Sequence, residues 1–73
     1  MTKKETFKNR FRELVDDMGV SKTKCAQMIG ISYKTFDNAY TLGKYPRTRN
    51  VIRIAEYFNV SLDYLACRTD KKR

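Results

Sequence analysis

Three times in this chain a β-branched residue stands directly before a serine: Val20-Ser21, Ile31-Ser32 and Val60-Ser61. A serine just ahead of a helix accepts from the free N–H groups of the first turn, and an apolar residue before it packs against one placed four after the serine. Cys25, Phe36 and Leu65 hold those positions, so each pair predicts a helix start. The first two starts lie so close together that the helix between them has room for only about two turns. A chain of 73 residues organised in this way predicts one small bundle of short helices. A second domain is excluded by size. A fold of this length removes only about 60% of its unfolded surface from water, which leaves no space for a large buried active site.

Apolar spacing fills in the elements. Phe7, Phe11, Leu14, Val15 and Met18 share one side of a helix over residues 5–18, with Thr2 and Glu5 at capping-box spacing and Gly19 at its end. A second helix over 21–29 turns Cys25, Ala26, Met28 and Ile29 inward and closes at Gly30. The third turns Phe36, Ala39 and Tyr40 inward and leaves Tyr33, Lys34, Asp37 and Asn38 outside. Gly43 and Pro46 break helices and predict a loop over 42–47. Thr48 caps a fourth helix carrying Val51, Ile52, Ile54, Ala55 and Phe58; a fifth, from Ser61 to Ala66 or Cys67, carries Leu62 and Leu65. Tyr57 and Tyr64 are expected to be half-buried. The domain is thus expected over residues 1–67, with 68–73, four cations against Asp70 and no apolar residue, as a disordered basic tail.

Composition narrows the function. Sixteen Lys and Arg against eight Asp and Glu give a net charge of +8, which suits a polyanionic partner: nucleic acid, an anionic lipid surface or an acidic protein. The chain has no His and only Cys25 and Cys67 as thiols, so it cannot complete a tetrahedral zinc site or a His-dependent nucleophilic triad. Both cysteines read as small core residues. No phosphate-cradling glycine loop is present, and the expectation is a protein without cofactor or enzymatic activity. Apolar runs are far too short for a signal peptide or a membrane span, which predicts a cytoplasmic protein. Cations concentrate in three zones. Lys3, Lys4, Lys8, Arg10 and Arg12 flank the first helix, Lys44, Arg47, Arg49 and Arg53 follow the third, and Arg68, Lys71, Lys72 and Arg73 lie in the tail. Lys8, Arg10 and Arg12 are expected on a solvated face.

Only Gly30 and Ile31 separate the second and third helices, and so short a connection forces their axes to meet steeply. Gly30 can take positive φ at the bend, Ile31 plugs the angle, and Ala26 is small enough for a close crossing. This is a helix-turn-helix over about residues 21–41.

Gly19-Val20-Ser21, Cys25-Ala26, Ile29-Gly30-Ile31-Ser32, Gly43, Pro46 and the run from Ile54 through Asn59-Val60-Ser61-Leu62-Asp63-Tyr64-Leu65 carry a wider likeness. Over about residues 7–65 the chain resembles the Cro/CI-type helix-turn-helix family of phage repressors and related bacterial regulators. The resemblance implies an all-α, compact five-helix, lambda-repressor-like domain whose third helix enters the major groove of double-stranded DNA. It implies a phosphate contact at Lys22, base-edge contacts at Tyr33 and Lys34 with Asp37 and Asn38 one turn on, and backbone contacts at Lys44, Tyr45 and Arg47. It also implies two-fold pairing into a homodimer, for which the fifth helix is a candidate surface, with monomeric action beside a protein partner equally open. The chemistry fits: Lys34 can donate to guanine, Asn38 can pair with adenine, and Tyr33 can meet a thymine methyl or a phosphate. Two departures stand out. Lys34 is balanced by Asp37, an acid that phosphates repel unless it accepts from cytosine N4, and Ala39-Tyr40 stand where many relatives are polar. Tyr33, Tyr40 and Tyr45 also gather near one edge, and tyrosine is enriched in protein interfaces. Being so short, the chain also looks like small phage-encoded modulators of repression. That likeness implies an alternative antirepressor role, in which it binds a CI-like repressor and masks or shares its DNA-reading surface.

Overall fold

A computed structural model describes residues 6–72. Helix α1 spans Phe7–Met18, α2 Lys22–Ile29, α3 Tyr33–Asp37, α4 Thr48–Phe58 and α5 Leu62–Leu65. Between α3 and α4 the chain continues through a π-helical turn, Asn38–Leu42. No strand occurs among the described residues.

The helix starts follow from side-chain capping. Ser21, Ser32 and Ser61 each accept from the N–H three residues on, at Lys24, Thr35 and Tyr64. The start of α1 differs from expectation. Thr2 and Glu5 lie outside the described residues, and the cap is Thr6, whose hydroxyl accepts from the Asn9 N–H at 3.2 Å. Helix α4 also departs, because the Arg47 carbonyl already accepts from the Val51 N–H at 2.9 Å. The preceding residue is therefore Arg47, which offers no capping side chain, and Thr48 sits inside the first turn.

Phe11, Phe36, Val51, Ile54, Leu65 and Cys25 are fully buried and form the centre of the core. An aromatic chain runs through it. The Tyr45 ring meets Phe7 edge-on at 5.0 Å, Phe7 stacks on Phe11 at 5.5 Å, and Phe11 meets Phe36 edge-on at 5.4 Å. These contacts fasten both α3 and the loop after it to α1. At the bend, Gly30 has φ 90° and Ile31 is buried, with both N–H groups donating to the Ala26 carbonyl. The turn between α2 and α3 is thus closed from beneath.

Two residues expected inside are not. Met28 is 44% exposed and Ile52 38% exposed. At about 100° per residue both lie just beyond the edge of the arc centred by the buried residues, Cys25, Ala26 and Ile29 in α2 and Val51, Ile54 and Ala55 in α4. Leu62 is also exposed, whereas Tyr64 is buried more fully than expected.

Arg10 is the largest correction. Expected on a solvated face, it is 4% exposed, with its guanidinium 4.3 Å from the centre of the Tyr64 ring. Its Nη1 donates to the Tyr64 and Thr69 carbonyls at 2.6 Å each, and its Nη2 donates to Asp70 Oδ1 at 2.8 Å. The segment read from sequence as a disordered tail accordingly contacts the body, and the Lys72 carbonyl accepts from the Ser61 N–H as well. Arg12 likewise turns inward, donating from Nε to the Tyr40 carbonyl at 2.9 Å.

Candidate nucleic-acid interface

Helix α3 is held by its apolar side and presents the rest. Phe36 and Ala39 are buried, while Ser32, Tyr33, Lys34 and Thr41 are exposed and Asp37 and Asn38 are half-buried. Lys34, Asp37, Asn38 and Thr41 recur at helical spacing and form one outward side. Tyr33 flanks it, 48% exposed, with its ring stacked toward Phe36 at 6.4 Å. The Thr41 hydroxyl donates back to Asp37 Oδ1 at 3.1 Å.

The π-helical turn sets the course of the chain after α3. The Gly43 N–H and the Lys44 N–H both donate to the Asn38 carbonyl, so the chain makes one wide turn before it leaves. Gly43 closes it at φ 74°, pressed against α1 so closely that a Cβ there would lie 2.9 Å from the Lys8 Cβ. The loop then lies beside α3 and encloses an open cleft of about 370 Å³. Thr35 and Asn38 of α3, Lys44, Tyr45, Pro46 and Arg47 of the loop, and Asn50 of α4 line it. One wall is therefore the first turn of α4, where no side chain occupies the free N–H groups. Burial pushes the Tyr45 hydroxyl above its ordinary pKa, with the nearby Cys67 thiol adding to the effect.

The eight residues singled out from sequence divide into three groups. Asn38, Lys44, Tyr45 and Arg47 meet in the cleft. Tyr33, Lys34 and Asp37 lie on the adjoining outer side of α3. Lys22 stands apart, its ammonium 4.5 Å from the centre of the Tyr40 ring, which the Arg12 guanidinium also faces at 4.7 Å. Tyr40 in turn donates its hydroxyl to Asp16 Oδ1 at 2.7 Å, and that bond, with burial and the Asp16 charge, holds its pKa above the usual tyrosine value. Thr35 and Asn50 were missed. Each sits three residues after a position that starts a helix, Ser32 and Arg47, and that offset was the available signal.

Two short helices joined by the tight turn Gly30-Ile31-Ser32, the second exposed along its outer side, make this a helix-turn-helix domain. A family model described as the bacteriophage CI repressor helix-turn-helix domain matches residues 6–73. The chain belongs to that family, and is thus an all-α DNA-binding helix-turn-helix domain of the phage CI type. Comparisons with curated proteins and with solved structures gave no match. Among the described residues no helix is long and apolar enough to cross a membrane.

Proposed function

We propose that the chain regulates a phage genetic switch by binding duplex DNA, with the outer side of α3 in the major groove and the adjoining cleft on the phosphate backbone. The observation that supports this most is that Asn38 belongs both to the outward side of α3 and to the wall of a cleft rimmed by Lys44, Arg47 and the first turn of α4. Base-reading and phosphate-holding groups are then only one side chain apart. Lys34 would donate to guanine O6 and N7, and Asn38 would pair with adenine. Lys44 and Arg47 would displace counterions from phosphates, and the free N–H groups at the positive end of α4 suit a phosphate oxygen. Lys22 would reach a phosphate by leaving the Tyr40 ring.

Binding to a selected site and to random duplex, measured across salt concentrations, tests the reading. Arg47→Ala should weaken both alike and lower the salt slope by about 1. Lys34→Ala and Asn38→Ala should each reduce discrimination between the two by about 1–3 kcal/mol. An unchanged slope for Arg47→Ala, or equal losses on both DNAs for Lys34→Ala, contradicts the assignment.

One observation favours a second reading. Tyr33 and Tyr45 are each 48% exposed and Leu42 is 71% exposed, an aromatic and apolar supply suited to a protein partner. On that reading the chain is a modulator of repression that masks or shares the DNA-reading surface of a CI-like repressor. Mixing the two without DNA tests it: a complex lost on Tyr33→Ala supports it, and no complex at micromolar concentration removes it.

A further inference from the structure

We infer that Asp37 selects cytosine in the DNA site, its carboxylate held by Thr41 and complemented by Lys34 one turn earlier on the same side of α3. This rests on the reading that α3 faces the major groove. An acid on that side of a chain with net charge +8 works against phosphate binding, because every phosphate within reach repels it. Its presence is consistent with a favourable partner that is a hydrogen-bond donor. In the major groove the donors are the amino groups of cytosine N4 and adenine N6.

Two observations make the acid available to a base, and a third, the lysine beside it, favours cytosine. Asp37 is not neutralised: the ion pair among the described residues joins Arg10 and Asp70, and Asp37 accepts only the Thr41 hydroxyl, on Oδ1. That bond engages Oδ1 alone, and Oδ2 has no hydrogen-bond partner among the described residues. Lys34 lies three residues before Asp37, within reach of the same base pair. A G·C pair offers guanine O6 and N7 as acceptors beside the cytosine N4 amino group, so an adjacent lysine and aspartate match its two halves. Asp37 is also outside the cleft lined by Lys44 and Arg47, which keeps the acid apart from the phosphate-holding cations.

Selection of duplexes from a randomised library, with the native chain, Asp37→Ala and Asp37→Asn side by side, tests this. The native chain should enrich a site with a required cytosine. Asp37→Ala should relax that position by at least about fivefold, leave the others unchanged, and hold random duplex as tightly as before or more so. Asp37→Asn, which keeps an acceptor for Thr41 and gains a donor, should move the preference there toward adenine. A site unchanged in both variants, or one in which the altered position is adenine in the native preference, overturns the inference while leaving DNA binding intact. No enriched site for the native chain overturns the DNA reading and this inference with it.

Discussion

A capping serine finds its partner three residues away, whereas Arg10 finds its partners 54 to 60 residues away. That difference explains why the starts of α2, α3 and α5 were legible in the sequence and the burial of Arg10 was not. Its position in the apolar stripe of α1, between Phe7 and Leu14, was the one local hint. Arg10→Met keeps most of the bulk but leaves the Tyr64 carbonyl without its donor, and should cost about 1–3 kcal/mol in denaturant unfolding. Tyr40 yields a pH prediction. Its hydroxyl is held above the usual value by the bond to Asp16, so the unfolded chain ionises first as pH rises. The stability from this group is complete below the unfolded pKa of about 10 and lost as pH rises through the higher folded value. Thermal melts should therefore show an alkaline decline that is shallower in Tyr40→Phe.

At the scale of elements, α1, α2, α4 and α5 were placed to within about two residues by their apolar stripes, whereas the third helix, expected through about Thr41, ends as an α-helix at Asp37. The π-helical turn was not foreseen. It arises where the Tyr40 carbonyl bonds to Arg12 of α1 and Gly43 packs on Lys8, contacts between distant segments that no periodicity encodes. For the same reason the cleft was only half legible: its loop cations could be named, but Thr35 and Asn50 enter it through the way α3 and α4 meet. Glycine substitutions separate the two turns. At Gly30 a new Cβ would meet the mobile end of Arg53 at 3.2 Å, so Gly30→Ala should cost mainly the left-handed backbone strain, about 1–2 kcal/mol. At Gly43 the obstacle is the Lys8 Cβ at 2.9 Å, close to the backbone of α1 and unable to swing away. Gly43→Ala should therefore destabilise more than Gly30→Ala in the same unfolding experiment, and the reverse order would show that the π-helical turn yields more easily than the helix-turn-helix.

Across the whole molecule the aromatic chain from Tyr45 through Phe7 and Phe11 to Phe36 ties the loop and α3 to α1, so the outer side of α3 and the loop cations of the cleft share one support. A separate region, where Ile52, Ala55, Glu56 and Leu62 border a shallow groove between α4 and α5, shares none of these groups. Amide NMR spectra recorded while duplex DNA is added distinguish the two surfaces residue by residue. Shifts should fall on Lys22, Tyr33–Thr41 and Lys44–Asn50, with Ile52, Glu56 and Leu62 unmoved. Shifts centred on the α4 and α5 groove, with the outer side of α3 unchanged, would contradict the placement of α3 in the major groove.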